Sequence, residues 1–194
     1  MPTGPLTRAR HLRSIMDHVA RLPEPQRSAV RDAFGPASIE LIESSASSDW
    51  LPFAVDLDLT HAIGRVLGPA GQHRFFQEHQ LASFQGPLFR ALVDSATAIF
   101  GLDPGSWARW IPRGWGIVFR DCGQWVVDRA GRGAVDLALL APPPGCLDDD
   151  LWLQSLASSF SAFNLLARTE GEFTLTGVDR ARDAACFALR WRAG

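Results

Sequence analysis

Four of the seven tryptophans, Trp107, Trp110, Trp115 and Trp125, fall within residues 103–128, interleaved with Arg109, Arg113 and Arg120. Indole and guanidinium groups at this density can pack a junction between layers of the fold. They can also present a protein-binding surface, where Trp and Arg carry much of the energy, or stack nucleobases. The last role needs an open basic face, and the acidic neighbours and a formal net charge of −2 argue against it. With Trp152 and Trp191 added, the candidates for touching a ligand or partner are Trp107, Trp110, Arg113, Trp115, Trp125, Trp152 and Trp191. Their exposure separates the readings: two or more open rings in 103–128 mark an interface, and four buried rings mark a seam.

Other chemistry lacks a pattern. The histidines are His11, His18, His61, His73 and His79. His73 and His79 fall on different helix faces, and no HExxH or other zinc spacing occurs. Each is expected to be solvated or packed against a partner. Cys122, Cys146 and Cys186 form no CxxC pair. There is no GxSxG elbow, and the GPAG at Gly68 to Gly71 reads as a helix stop. Asp56 and Asp58 are two apart, so they do not face each other on a helix and are read as helix entry. The run Asp148 to Asp150 suits the positive end of a helix dipole. No catalytic residue, metal site or cofactor site is therefore expected, and the chain is read as non-enzymatic.

With 194 residues, 46% hydrophobic and 21% charged, the chain has the composition of one globular domain. It contains no Lys and no Tyr, a usage read as the codon bias of a GC-rich genome. No apolar stretch reaches the roughly 18 residues of a membrane span. Three scattered thiols suit a reducing compartment, so a cytoplasmic location is expected.

Hydrophobic period places a first helix after a Thr7 cap, running to about Leu22, then helices over Gln26–Phe34 and Ala37–Glu43 and a loop over Ser44–Asp49. Trp50-Leu51-Pro52 reads as extended. A helix starting near Phe53 should close at Gly68-Pro69, with further helices over Ala70–Phe84 and Pro87–Phe100. Pro104 opens a short helix that Pro112 and Gly114 should end. From Trp115 the period changes to strands, over Trp115–Arg120, Gln124–Asp128 and Gly133–Leu140, joined by tight hairpin turns. After Ala141 to Gly145 comes a long helix to about Arg168, then a hairpin of Glu172–Val178 and Ala184–Arg192. The expected fold is α+β, a helical N-terminal half on a four- to five-stranded, mainly antiparallel sheet, with one long helix inserted before the last hairpin. It is read as a single domain, residues 1–48 being a helical extension on a core of 49–194.

Three passages together carry a family likeness. They are Trp50-Leu51-Pro52 entering a helix that ends at Leu67-Gly68, the run from Trp110 through Arg120-Asp121-Cys122-Gly123, and the closing Asp183-Ala184-Ala185-Cys186-Phe187-Ala188-Leu189-Arg190-Trp191. The ensemble, from about Leu22 to Trp191, resembles a paralogous family of unknown function found mainly in myxobacteria. That family is similar to the superfamily of 4-vinyl-reductase domains, TRAPP-type trafficking subunits and heme NO-binding domains. The resemblance implies helices packed on an antiparallel sheet and a pocket between them. It also implies a regulatory module that self-associates or binds a protein partner, in a signalling or small-GTPase-linked process. The alternative it implies is a sensor holding a small hydrophobic ligand between aromatic walls. The heme branch carries a proximal His followed by Tyr-x-Ser-x-Arg; this chain has no Tyr and no His after His79. The metal-binding relatives use clustered Cys and His, of which only Cys186 sits at a matching place.

Overall fold

The computed structural model describes residues 4–85 and 103–192; the helix expected over Pro87–Phe100 lies outside them. Among the described residues, seven α-helices and seven strands follow in the order helical half first, sheet second. Strand β1 (Leu6–Arg8) leads into α1 (Ala9–Val19), α2 (Glu24–Phe34) and α3 (Pro36–Ser44); β2 (Trp50–Pro52) leads into α4 (Phe53–Gln85). Thr7 does not cap α1. It is buried in β1, opposite Leu51 and Phe119, because the first residues pair as a strand between β2 and β3 (Phe119–Arg120). Helix α4 is two arms: Gly68 takes φ 67°, ψ 175°, and Pro69 starts the second arm as the Gly-Pro pair suggested.

The Trp/Arg stretch departs most from expectation. Asp103 caps α5 (Pro104–Ala108) by accepting from the Ser106 N–H at 2.9 Å. A further helix, α6 (Ile111–Val118), covers the residues expected to form a strand from Trp115. Pro112 sits in the first turn of α6, where a missing N–H costs nothing, so it begins a helix where it was expected to end one. The expected first hairpin is absent as well. β3 joins β1 and β2, while β4 (Gln124–Gly131) joins β5 (Ala134–Leu140), β7 (Ala184–Trp191) and β6 (Gly171–Asp179) in a second sheet, order β4-β5-β7-β6. Asp121 at φ 56° and Gly123 at φ 87° turn the chain from one sheet into the other.

The four-stranded sheet is antiparallel throughout, with Ala138 opposite both Val126 and Cys186. Between β5 and β6 runs α7 (Asp150–Leu166), capped by Asp149, which accepts from the Trp152 N–H. Two hydrophobic cores result. One gathers α1 to α4 around Leu12, Ile15, Leu59 and Ile63. The other gathers α5, α6, α7 and the sheet around Trp125, Trp152, Phe187 and Leu189. No helix among the described residues is long and apolar enough to cross a membrane.

A Cβ at Gly123 would lie 2.6 Å from the Leu140 carbonyl oxygen, at a φ that L side chains resist. Gly123→Ala should therefore lower the unfolding free energy by roughly 2 kcal/mol or more. Gly114→Ala, in a helix with open space around it, should be neutral or stabilising by up to about 1 kcal/mol. Urea midpoints check both; equal midpoints would contradict the turn geometry.

Candidate ligand cavity

Between the two cores lies a cavity of about 1040 Å³. One wall is α1: His11, Ser14, Ile15 and His18 recur at helical spacing on the side facing it. The second arm of α4 adds Phe76, His79, Gln80, Ser83 and Phe84. Opposite stand Trp107, Trp110 and Ile111 from α5 and α6, then Trp115 and Phe119. The floor is the aromatic side of α7, with Trp152, Leu156, Phe160 and Phe163.

The rings hold one another in place. Phe163 lies 5.7 Å from Phe84, 6.4 Å from Trp107 and 5.6 Å from Phe160, centroid to centroid. Trp115 lies 4.1 Å from Phe119 and 5.9 Å from Trp125. Such pairs add about 0.5–1.5 kcal/mol each beyond simple burial, so the walls are fixed by their own packing. Among the described residues the buried indole N–H groups of Trp107, Trp115 and Trp125 have no acceptor, a cost of about 1–3 kcal/mol for each.

One side of the cavity is polar. His79 is 3% exposed, and its Nε2 lies 3.0 Å from Ser14 Oγ. His11 and His18 meet it edge-on at 6.0 and 5.8 Å. Burial, then the nearby His11, His18 and Arg21, push the His79 pKa down to about 3, so its ring is neutral in ordinary buffers. His18 is lowered too, by burial and Arg21 against the opposing pull of Glu78. Asp56 is 4% exposed; its Oδ1 lies 3.4 Å from His11 Nε2 without a hydrogen bond and has no donor among the described residues.

Of the residues singled out from sequence, Trp107, Trp110, Arg113, Trp115 and Trp152 line this cavity. Trp125 is buried behind it, edge-on to Trp115 and Phe160. Trp191 is half-buried on β7, against Gly105. Within 103–128 three rings are buried, while Trp110 is half-buried with the exposed Arg113 guanidinium 5.1 Å from its centroid. Sequence reasoning missed the polar side. His11 and His18 are seven residues apart, two turns on one helix face beside Ser14, and that spacing was the available signal. Asp56, read as helix entry, does lie in the first turn of α4 but is buried beside His11. The other histidines tie α4 to α7: His61 Nε2 lies 2.6 Å from Asp149 Oδ2 and His73 Nδ1 lies 3.1 Å from Ser158 Oγ. Cys122 and Cys146 are buried, and burial pushes both thiols up to about 12, so neither is a ready nucleophile. Among the described residues no group of three His, Cys, Asp or Glu is placed to hold a metal ion.

The arrangement of helices and sheet is similar to that of H-NOX domains. The chain superposes on an Fe(II) unliganded H-NOX protein from K. algicida carrying an alanine-to-glycine mutation with a TM-score of 0.67 at 10% identity, covering 96% of this chain and 97% of that one. The same K. algicida protein without that mutation gives 0.62 at 9%, with the same coverage. A doubly substituted Tt H-NOX gives 0.58 at 5%, over 96% and 94%. At these identities the likeness is one of fold. No protein-family profile matches the sequence, and no curated protein matches it.

A histidine held neutral by burial binds fewer protons folded than unfolded between its two pKa values, so stability falls as pH drops below about 6.5. Between pH 7 and pH 5 the loss attributable to His79 should be on the order of 2 kcal/mol, and His18 acts in the same direction. Urea melts should show His79→Gln with a flatter pH dependence than the parent; parallel curves would contradict a buried neutral His79.

Proposed function

We propose that the chain is a sensor module that binds a small hydrophobic ligand in the cavity between its two cores. The observation that carries this reading is the cavity itself, in the size range of ligand sites, with Phe and Trp rings on one side and a polar cluster on the other. Two of the unpartnered indole N–H groups belong to its lining residues, Trp107 and Trp115. The fold shared with H-NOX domains supports the same reading by analogy. Self-association of a TRAPP-like kind, put first by the sequence resemblance, has less behind it: the Trp/Arg stretch turns three of its four rings inward.

The K. algicida relative is described as an Fe(II) protein, and an iron porphyrin held as in the heme branch needs an axial side-chain donor. The three imidazoles of this cavity turn Nε2 elsewhere: His79 to Ser14, His11 to Asp56 at 3.4 Å, and His18 to Glu78 at 3.9 Å. From residue 80 to residue 121 the sequence has no His, Cys, Met or Tyr. The residues present do not fit an axially ligated heme iron, and the proposed ligand is organic. Added hemin should give no Soret band of an imidazole-ligated heme; a sharp ligated band would contradict this.

N-phenyl-1-naphthylamine, a neutral probe that brightens in apolar surroundings, tests the site. The protein should take it up saturably. Ser159→Trp, which fills the cavity from α7, should weaken uptake roughly tenfold or more, about 1.4 kcal/mol, with an unchanged far-ultraviolet dichroism spectrum. Unaltered uptake in a folded variant, or no uptake by the parent, would overturn the reading.

A further inference from the structure

The cavity's polar side carries a sign. Four arginines line it, Arg8, Arg10, Arg21 and Arg113, against two carboxylates, Asp17 and Asp56, although the chain as a whole has a formal net charge of −2. Arg8 is occupied: its guanidinium lies 3.8 Å from the Trp50 centroid and donates to the Ser48 carbonyl. Arg113 lies over Trp110. Arg10 and Arg21 have no ion pair or side-chain hydrogen bond among the described residues, and both are exposed where α1 borders the cavity.

Arg21 lies just past the end of α1, in a turn where its N–H donates to the His18 carbonyl at 3.1 Å, and it borders the cavity there. Within α1, His11, Ser14 and His18 share one face at intervals of three and four residues. That wall presents two imidazoles and a hydroxyl and ends in a permanent cation. The His79 ring, held against Ser14, backs it without adding charge. Three carboxylates lie nearby, fewer than the four arginines of the lining. Asp56 faces His11, Glu78 is largely in solvent 3.9 Å from His18, and Asp17 is exposed. Across the cavity the surfaces are mainly apolar, Trp107, Phe160 and Phe163 among them, with Arg113 over Trp110. A molecule spanning both sides has a hydrophobic body and an anionic end. An ammonium head would meet a like charge at Arg21, a neutral head would gain no charge pairing there, and a carboxylate would pair with the guanidinium.

We infer that the ligand is a hydrophobic carboxylic acid, its body among Trp107, Phe160 and Phe163 and its carboxylate against Arg21, beside His18 at the end of the α1 wall. This rests on the cavity being a ligand site, and it specifies the head group.

Three probes with one tail and different heads test it: dodecanoate, dodecanol and dodecylamine, each displacing bound N-phenyl-1-naphthylamine at low salt. Dodecanoate should displace the probe at a concentration roughly tenfold lower than dodecanol, and dodecylamine should be weakest. Arg21→Ala, at an exposed position, should remove most of the preference for the acid over the alcohol. Arg109→Ala, exposed and outside the cavity lining, should keep it. Equal displacement by acid and alcohol, or a preference untouched by Arg21→Ala, would overturn the head-group assignment while leaving the cavity as a ligand site. Failure of the naphthylamine itself to bind would overturn both.

Discussion

Helix α7 is enclosed on three sides, and the rest of the architecture follows from how those sides are made. Toward α4 it presents Leu151, Ser158 and Ser161, and the contact is held by specific polar pairs. The Gln72 amide donates to the Leu151 carbonyl at 2.7 Å, and the Gln77 amide to Ser161 Oγ at 2.9 Å. Gly64 brings the helices close: a Cβ there would meet Leu151 Cδ2 at 3.0 Å. Toward the sheet α7 places Leu153, Ala157 and Phe160, with Phe160 5.5 Å from Phe173 and 5.3 Å from Trp125. Its third side, Trp152, Leu156 and Phe163, faces the cavity. A buried polar group left without a partner costs about 1–3 kcal/mol, so the α4 contact fixes the register of α7, and α7 in turn fixes where the aromatic floor lies.

The cavity follows from having two cores rather than one. The helical core closes around Leu12, Leu59 and Ile63, and the sheet-side core closes around Trp125, Phe187 and Leu189. Where α1 and the second arm of α4 face α5 and α6, the two cores do not interdigitate. Phe76 and Ile15 from one and Trp107 and Trp115 from the other border common space. The kink at Gly68 sets the direction of the second arm of α4, which carries both the polar His79 and the apolar Phe84 of the cavity wall. Polar and apolar sides of the site are thus delivered by the same helix, one and a half turns apart.

Much of this was legible locally. Gly68-Pro69 and the Ala141-to-Gly145 run are breaks whose backbone chemistry dictates them, and both fall where the chain turns. The alternation of Val135, Leu137 and Leu139 marked β5, and all three are buried. Proline misled once, at Pro112, because the same residue stops a helix from behind and starts one from within its first turn. The strand at Leu6–Arg8 could not be read from three residues whose pairing partners are more than 40 positions away. For the same reason the polar cluster was hidden. Ser14 and His79 are 65 residues apart, and His11 and Asp56 gain their meaning only when α1 lies across α4.

The central claim is that the space between the cores receives a ligand and is not merely loose packing. A crystal structure of the protein grown with N-phenyl-1-naphthylamine tests it most directly. The account expects probe density against Trp107, Phe160 and Phe163, with Ser14 and His79 at its edge. Density only on the outer surface, with those rings collapsed onto α1 to fill the space, would contradict it.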